Sequence, residues 1–203
     1  DDHCGCLADL HGVVSVDSVF VAKGFNSLGT DKVEDMLKDA KRLSGATGIH
    51  ELAVGDVITV GSVAFKVIAP EGLTDNGEND DSICLIATTD LNDDGIGEWR
   101  ALFAGDAESE VLDSLNDEGT LEDIDILKVS HHGAKSALDE ELMAVLKPEI
   151  ALISVGERNR YGHPAANTVS LLESCDAEVF RTDLQGDVVC SLNQTSISIH
   201  TMK

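Results

Sequence analysis

This chain of 203 residues has few positively charged residues, no long apolar segment and no segment that resembles a signal peptide. Lys and Arg together number 14 against 38 Asp and Glu, so the formal net charge is −24. Such an acidic chain is expected to be soluble and not to adhere passively to nucleic acid or anionic lipid. No apolar stretch reaches the length of about 18 residues that a membrane-spanning helix needs, so no transmembrane helix is predicted. A basic segment followed by an apolar one is also absent, so no signal peptide is predicted.

The five cysteines do not make a disulfide framework, since their number is odd and they are not densely spaced. Cys4 and Cys6 lie too close for an ordinary bridge, and no second such pair accompanies them to complete a zinc site. Cys84 and Cys190 lie inside apolar, strand-like runs, which predicts buried free thiols. The redox compartment of the chain stays open.

Hydrophobic residues make up 42% of the chain, which is enough to bury the core of a single domain over residues 1–203. The chain opens on Asp1, Asp2 and His3 with no preceding Met. We therefore expect it to be a fragment whose natural N-terminus lies upstream.

Short apolar runs alternate along the chain with a few amphipathic segments. Strands are predicted where runs rich in Val, Ile and Leu are bounded by Gly, Asp or Asn; these runs are Ser18–Ala22, Asp56–Val60, Val63–Ala69, Ser82–Thr89, Glu98–Ala104, Ile124–Val129, Ile150–Val155, Glu178–Arg181, Asp187–Leu192 and Ser196–Thr201. Helices are predicted where apolar residues recur every three or four positions; these segments are Lys32–Leu43, Ala107–Leu115, Leu138–Leu146 and Ala165–Cys175. Strands with helices interposed predict a layered α/β protein with mixed sheets.

Carboxylate and imidazole groups follow several of these strands, at the positions where α/β enzymes gather their site residues. Asp106 comes after the strand Glu98–Ala104 and one glycine, and a short anionic carboxylate there suits divalent cations. The alternative is that Asp106 only caps the helix that begins at Ala107. Asp2 and His3 add an adjacent carboxylate and imidazole at the start of the chain.

Three histidines follow later strands. His131 and His132 come directly after the strand Ile124–Val129, where two imidazoles are costly to leave without partners. One of them can bind a metal as neutral imidazole while the other orients substrate or transfers a proton. The alternative is a pair of exposed loop histidines. His163 lies between a glycine that lets the backbone approach closely and a proline that restrains its exit.

Arg158, Arg160 and Tyr161 are among the few cationic or phenolic groups near the predicted site. They can meet an anionic substrate such as phosphate. The alternative is that they are ordinary surface residues. Three further histidines lack such settings and are expected to be surface or packing residues: His11, His50 and His200.

The order of these segments resembles the metallo-β-lactamase fold superfamily, and most closely the C-terminal metallo-β-lactamase-like domain of ComEC-type competence proteins. The segments that carry the resemblance are, in chain order, Asp1-Asp2-His3-Cys4-Gly5, Asn79-Asp80-Asp81-Ser82, Gly105-Asp106, Lys128-Val129-Ser130-His131-His132-Gly133, Ser154–Pro164, and Thr182-Asp183 with Gly186. The resemblance spans residues 1 to about 192.

The resemblance implies a four-layer αββα metallo-β-lactamase sandwich that lacks its first strands and the start of its metal motif. It also implies one or two divalent ions, and carboxylate and imidazole ligands without a clear thiolate indicate zinc or manganese. The implied metal ligands are Asp2, His3, Asp106, His131 and His163. The implied catalytic residues are Asp2 and His132. The expected substrate contacts are Asn79, Arg158, Arg160 and Tyr161.

The activity implied by the resemblance is hydrolysis of DNA phosphodiester bonds during DNA uptake. DNA and the membrane channel of a parent protein are the implied partners, at the extracytoplasmic face of a bacterial membrane, with no insertion of this segment itself. The missing start of the metal motif can make the fragment inactive. Two alternatives are hydrolysis of a small ester, thioester or lactone on the same fold, and a non-catalytic accessory domain. The acidic composition opposes a DNA substrate, because nucleases usually offer Lys and Arg to phosphates.

Overall fold

The computed structural model describes residues 3, 5–44, 48–74 and 78–203. The strands are β1 (Val19–Ala22), β2 (Ile49–Leu52), β3 (Val57–Val60), β4 (Val63–Ala69), β5 (Cys84–Thr89), β6 (Trp99–Phe103), β7 (Ile126–Lys128), β8 (Ile150–Ile153), β9 (Glu178–Arg181), β10 (Asp187–Leu192) and β11 (Ile197–Met202). The α-helices are α1 (Asp31–Ser44), α2 (Ser109–Asp117), α3 (Glu140–Leu146), α4 (Ala166–Ser174) and α5 (Thr182–Gln185). The short 3-10 helices are Leu7–Leu10, Phe25–Ser27, Asn79–Asp81 and Ser130–Gly133. Over these ranges, no helix combines the length and apolarity needed to cross a membrane.

A mixed sheet of seven strands forms the centre of the fold, in the order β3-β4-β5-β6-β7-β8-β9. Neighbouring strands run antiparallel from β3 to β6 and parallel from β6 to β9. Two smaller sheets accompany it, the parallel pair β1-β2 and the antiparallel pair β10-β11. The predicted α/β class with a mixed sheet is confirmed.

Two helices begin later than the sequence pattern predicts, and each delay has a local cause. Helix α2 begins at Ser109 rather than Ala107, because a turn in which Ala107 N–H donates to the Ala104 carbonyl (3.1 Å) comes first. Helix α3 begins at Glu140 rather than Leu138, because the Asp139 side chain accepts the Leu142 N–H at 2.9 Å and so caps the helix.

Two short elements lie outside the predicted set. Strand β2 has exposed polar residues at His50 and Glu51 and pairs in parallel with β1. Helix α5 is a single turn that follows β9 directly. Neither shows a periodicity long enough to predict from sequence.

The core lies between the seven-stranded sheet and helices α2, α3 and α4, which connect its parallel strands. One continuous cluster contains residues from both layers, among them Leu102, Leu127, Ala151, Leu112, Leu142, Leu146 and Leu172, each with no exposed surface. Burying these side chains is the main driving force for placing the helices on that face of the sheet.

The opposite face of the sheet is covered in part by the hairpin β10-β11. Trp99 donates its indole N–H to the Asn193 carbonyl at 2.6 Å, which ties the hairpin to β6. An apolar cavity of about 210 Å³ remains between them, with Phe65, Ile126 and Leu192 in its wall.

The predicted buried thiols are confirmed for Cys84 and in part for Cys190. Cys84 has no exposed surface, and burial raises the pKa of its thiol to about 12. Cys190 lines the apolar cavity and is half-buried, and burial raises the pKa of its thiol as well. Both thiols are free and are packing groups rather than reactive ones.

A matched pair of leucine substitutions tests the position of the core. Leu127→Ala in the middle of β7 should lower the free energy of unfolding by about 2–5 kcal/mol, since Leu127 is fully buried. Leu184→Ala should change it by less than about 0.5 kcal/mol, because Leu184 is 55% exposed. Urea denaturation followed by circular dichroism measures both, and equal losses would contradict this placement.

Candidate metal centre

Four loops converge at one edge of the seven-stranded sheet because strands β6 to β9 are parallel and their carboxyl ends lie at that edge. Asp106 follows β6, His131 and His132 follow β7, and His163 lies in the loop after β8. Thr182 follows β9, where its hydroxyl donates to the Val155 carbonyl and accepts from the Val155 N–H, each at 2.8 Å. The sheet topology therefore assembles residues that are far apart in the chain.

The loop after β7 adopts a backbone that ordinary residues rarely take. His131 has φ +44°, His132 has φ +53° and Gly133 has φ +77°. A left-handed backbone costs a non-glycine residue about 1–2 kcal/mol, so the surroundings must hold it. They do so through the N–H of His131, which donates to the Gly105 carbonyl at 3.0 Å, and through buried Ser130, whose hydroxyl donates to the Ala137 carbonyl at 3.1 Å.

Three side chains at this edge can hold a metal ion together. The Nε2 atom of His3 lies 2.8 Å from Oδ2 of Asp106, and Nε2 of His132 lies 3.6 Å from Oδ1 of the same carboxylate. The ligand atoms of these residues all lie within 4.8 Å of one another. Within the ranges that the structure describes, this is the one group of three or more such residues so close together. We call it the His3–Asp106–His132 group.

His132 presents one defined ring nitrogen to this group. Its Nδ1 lies 2.7 Å from the Ser154 carbonyl oxygen, which can only accept, so Nδ1 carries the proton and donates. The neutral ring then has its lone pair at Nε2, on the side of Asp106. A backbone carbonyl that orients a histidine in this way is a common support for metal ligands.

Asp106 does not cap helix α2, and its carboxylate is free to meet a cation. Helix α2 begins three residues later, and the residue before it, Glu108, occupies the capping position without a side-chain bond. The N–H of Asp106 donates to the Ser82 hydroxyl at 3.0 Å, and the N–H of Glu108 donates to the Asp80 carboxylate at 3.3 Å. Oδ1 of Asp106 is buried and has no hydrogen-bond partner in the described part of the chain. A buried anionic oxygen of this kind fits a bound cation.

Gly105 allows the close approach on which this position depends. A Cβ atom at Gly105 would lie 2.8 Å from Cβ of Ser82, and its φ of +57° is one that side-chain-bearing residues disfavour. The strand-Gly-Asp pattern therefore has a steric reason.

His131 lies beside the His3–Asp106–His132 group rather than in it. Its Nδ1 lies 3.4 Å from Oε1 of Glu108 without making a hydrogen bond, and its ring centre lies 5.6 Å from that of His163. Glu108 is a neighbour that no sequence motif indicated.

The loop that carries His163 is closed by Asn159. The Asn159 amide donates to the carbonyls of His163 (2.8 Å) and Gly156 (3.1 Å), and its oxygen accepts the His163 N–H at 2.9 Å. Burial, followed by the nearby rings of His131 and His132, lowers the pKa of His163, against the opposing effect of Asp106. The lowered pKa favours the neutral imidazole, which is the form that binds metals.

Lys128 places a positive charge near the Asp106 carboxylate. Burial lowers the pKa of Lys128, while the carboxylate of Asp106 acts in the opposite direction. The Lys128 ammonium donates to the Val129 carbonyl at 3.0 Å. Its charge partly offsets that of the buried carboxylate.

The remaining predicted site residues are distributed as follows. Asp2 lies outside the described residues. Arg158 and Arg160 are exposed on the loop after β8, and Tyr161 in the same loop is 79% exposed with its ring stacked on that of His163. Asn79 begins a 3-10 helix, and its carbonyl accepts the Ser82 N–H at 3.0 Å. Because the Ser82 hydroxyl accepts the Asp106 N–H, this segment helps to position Asp106.

Comparisons with known proteins find relatives by sequence and similar solved structures. No protein-family model matches the chain. The chain is 32% identical to ComE operon protein 3 of Bacillus subtilis over 187 residues, which are 92% of this chain and 23% of that protein. It is 29% identical to Recombination protein 2 of Haemophilus influenzae over 138 residues, 66% of this chain and 16% of that protein. It is also similar to the crystal structure of CmlA, a diiron beta-hydroxylase from Streptomyces venezuelae, with a TM-score of 0.52 and 17% identity over 81% of this chain and 38% of the other. The chain thus spans less than a quarter of the relatives' length.

A pair of glycine substitutions tests the packing of the His131-His132 loop. A Cβ atom at Gly133 would lie 2.7 Å from Cβ of Pro164, whereas one at Gly119 would meet nothing within 4 Å, and both residues have positive φ. Gly119→Ala should therefore cost about 1–2 kcal/mol of stability from the backbone alone. Gly133→Ala should cost about 1–3 kcal/mol more, because it overpacks the loop as well. Thermal denaturation measures both, and equal costs would show that the contact with Pro164 has no energetic weight.

Metal titration tests which residues are ligands. Asp106→Asn and His132→Ala should each weaken zinc binding by more than roughly 100-fold, since each removes a ligand outright. His131→Ala should weaken it by less than about tenfold, because His131 lies outside the group. His200→Ala, an exposed histidine on β11, is the control. Competition with a chromophoric chelator gives the affinities, and a loss for His131→Ala as large as that for His132→Ala would contradict the assignment.

Proposed function

Because the chain has the metallo-β-lactamase fold and is homologous to part of the ComEC-type proteins, we propose that it is a divalent-metal phosphodiesterase that acts on DNA during DNA uptake. The observation that carries the proposal is the His3–Asp106–His132 group, with its buried carboxylate oxygen and an oriented imidazole. Two imidazoles and a carboxylate, with no thiolate among the described ligands, favour zinc or manganese.

The residues of the site divide the work as follows. A divalent ion held by this group supplies a water of lowered pKa and neutralises charge on a phosphate. Asp106 is proposed to anchor the ion, and Asp2 and His163 to complete the ligand set. His132, whose Nδ1 is held by the Ser154 carbonyl, joins the ligands.

His131 is proposed to transfer the proton to the leaving oxygen. This reverses the division of roles that the sequence led us to expect, in which His131 was a ligand and His132 the proton donor. The support for the reversal is positional: Nε2 of His132 lies 3.6 Å from the Asp106 carboxylate, whereas Nδ1 of His131 lies 3.4 Å from the Glu108 carboxylate. That carboxylate can stabilise the protonated imidazole before transfer.

The acidic composition is reconciled with a DNA substrate by where the charge lies. The net charge of −24 belongs to the whole chain, whereas the loop after β8, which also carries His163, contains two exposed arginines, Arg158 and Arg160. We propose that the membrane channel of a ComEC-type parent protein delivers the strand to this loop at the extracytoplasmic face. Delivery by a channel reduces the need for an attractive field over the rest of the surface.

Cleavage assays test the proposal. The purified chain loaded with manganese or zinc should cleave a labelled single-stranded oligonucleotide and leave 4-nitrophenyl acetate, a thioester and a lactone intact. Asp106→Asn should reduce cleavage by at least roughly 100-fold, through loss of the ion's contribution, while His200→Ala should retain it.

Two results would contradict the proposal. Metal-dependent hydrolysis of the esters without DNA cleavage would assign the chain to small-molecule hydrolysis. Metal-loaded protein that cleaves neither substrate would make it a non-catalytic accessory domain.

A further inference from the structure

We propose that the cavity beside the metal centre binds a nucleotide base, with Tyr161 as the platform on which the base stacks. The inference rests on the proposed function, since it names the part of a DNA substrate that lies next to the site. It assigns to the loop after β8 a role in binding that is separate from holding the metal.

The cavity has a volume of about 400 Å³ and opens directly onto the site. This volume lies within the range of about 300–1,000 Å³ that is usual for small-molecule sites. Its wall is formed by His132, Ser154, Val155, Gly156, Asn159, Tyr161, His163 and Thr182. A group bound there is in reach of both His132 and His163.

Tyr161 is the flat, apolar member of this wall. Its ring lies nearly parallel to that of His163, with 13° between the planes and 5.8 Å between the ring centres. Although it is held against the site in this way, 79% of its surface is exposed. A single exposed aromatic residue is ordinary on a protein surface; what distinguishes Tyr161 is that the ring borders a cavity at a metal centre. Stacking of bases on aromatic rings is a common means of binding unpaired nucleic acid.

Two polar side chains of the wall, Asn159 and Thr182, are already used within the protein. The Asn159 amide bonds to the backbone of Gly156 and His163, and the Thr182 hydroxyl bonds to both backbone groups of Val155. They are therefore not available to read the edges of a base. Recognition by stacking alone tolerates any base, since every base has a π face.

Two exposed cations lie in the same loop as the platform. Arg158 and Arg160 are exposed, and neither makes an ion pair in the described part of the chain. Cationic side chains around an aromatic platform suit the phosphates on either side of a stacked base. The loop thus combines the two elements that bind a single strand without sequence preference.

Binding of metal-free protein to oligonucleotides tests the platform without relying on catalysis. Tyr161→Ala should raise the Kd for a thymidine oligonucleotide by about 5- to 150-fold, and Tyr161→Phe and Tyr161→Trp should leave it within about twofold. The difference between wild type and Tyr161→Ala should disappear for an oligomer of the same length built from abasic deoxyribose phosphates. Oligomers of adenine and cytosine should behave like thymidine. Fluorescence anisotropy in EDTA measures all of these.

Gly156 offers an independent way to fill the cavity. A Cβ atom there would meet nothing within 4 Å, and its backbone is outside the left-handed region, so a side chain is tolerated without strain. Gly156→Leu should weaken binding of the thymidine oligomer by about as much as Tyr161→Ala, while the melting temperature stays near that of the wild type. Gly72→Leu, at a glycine outside this cavity where a Cβ atom would also meet nothing within 4 Å and the backbone is likewise not left-handed, controls for added apolar surface.

Photocrosslinking places the base directly. An oligonucleotide with 5-iodouracil should crosslink to Tyr161, the one tyrosine of the chain, as mapped by mass spectrometry. A crosslink elsewhere, or an unchanged Kd for Tyr161→Ala, overturns the base site even if the metal-loaded chain cleaves DNA. A crosslink at Tyr161 in a chain that cleaves no DNA upholds the base site and overturns the proposed activity.

Discussion

The hydrogen bond from the His131 N–H to the Gly105 carbonyl joins the loops that follow β6 and β7. The carboxylate of Asp106 and the imidazole of His132 come together because these two loops are held side by side. The same bond helps to keep both histidines at positive φ, a conformation that the isolated loop would leave. At Gly105 and Gly133 an added Cβ atom would clash with Ser82 and Pro164. The positions of the site residues therefore depend on the glycines of these two loops.

The net charge of the whole chain differs from the set of charges at the candidate site. Over the whole chain, acidic residues dominate and provide no attraction for a polyanion. At the site, the imidazoles of His3 and His132 lie against the partly buried carboxylate of Asp106, which also interacts with the charge of Lys128, and two exposed arginines lie in the loop after β8. Because charges beyond about 8–10 Å are largely screened at physiological salt, the local set decides what binds. An acidic chain can therefore carry a site for a phosphodiester.

Much of the fold could be predicted from the chain itself. The pattern of apolar residues placed α1 and α4 within one residue at each end, and the predicted strands Asp56–Val60 and Val63–Ala69 correspond to the hairpin of β3 and β4. The order of strand-end carboxylates and imidazoles indicated the metallo-β-lactamase fold, which the comparisons confirm. The predicted start of α2 was wrong because Ala107 forms a turn with Ala104, and the N–H groups of Asp106 and Glu108 donate to Ser82 and Asp80, which lie more than 20 residues earlier in the chain.

The sequence by itself determined which residues are available to the site, since Asp106, His131, His132 and His163 each follow a strand of one parallel set. It also determined that the chain is acidic and rich enough in apolar residues to bury a core. Only the tertiary structure decided which carboxylate each of the adjacent His131 and His132 side chains lies against. The Ser154 carbonyl, which comes directly after β8, orients His132 toward Asp106, while His131 lies toward Glu108. Two identical side chains one residue apart have the same chemistry in the sequence, and only their neighbours in space distinguish them.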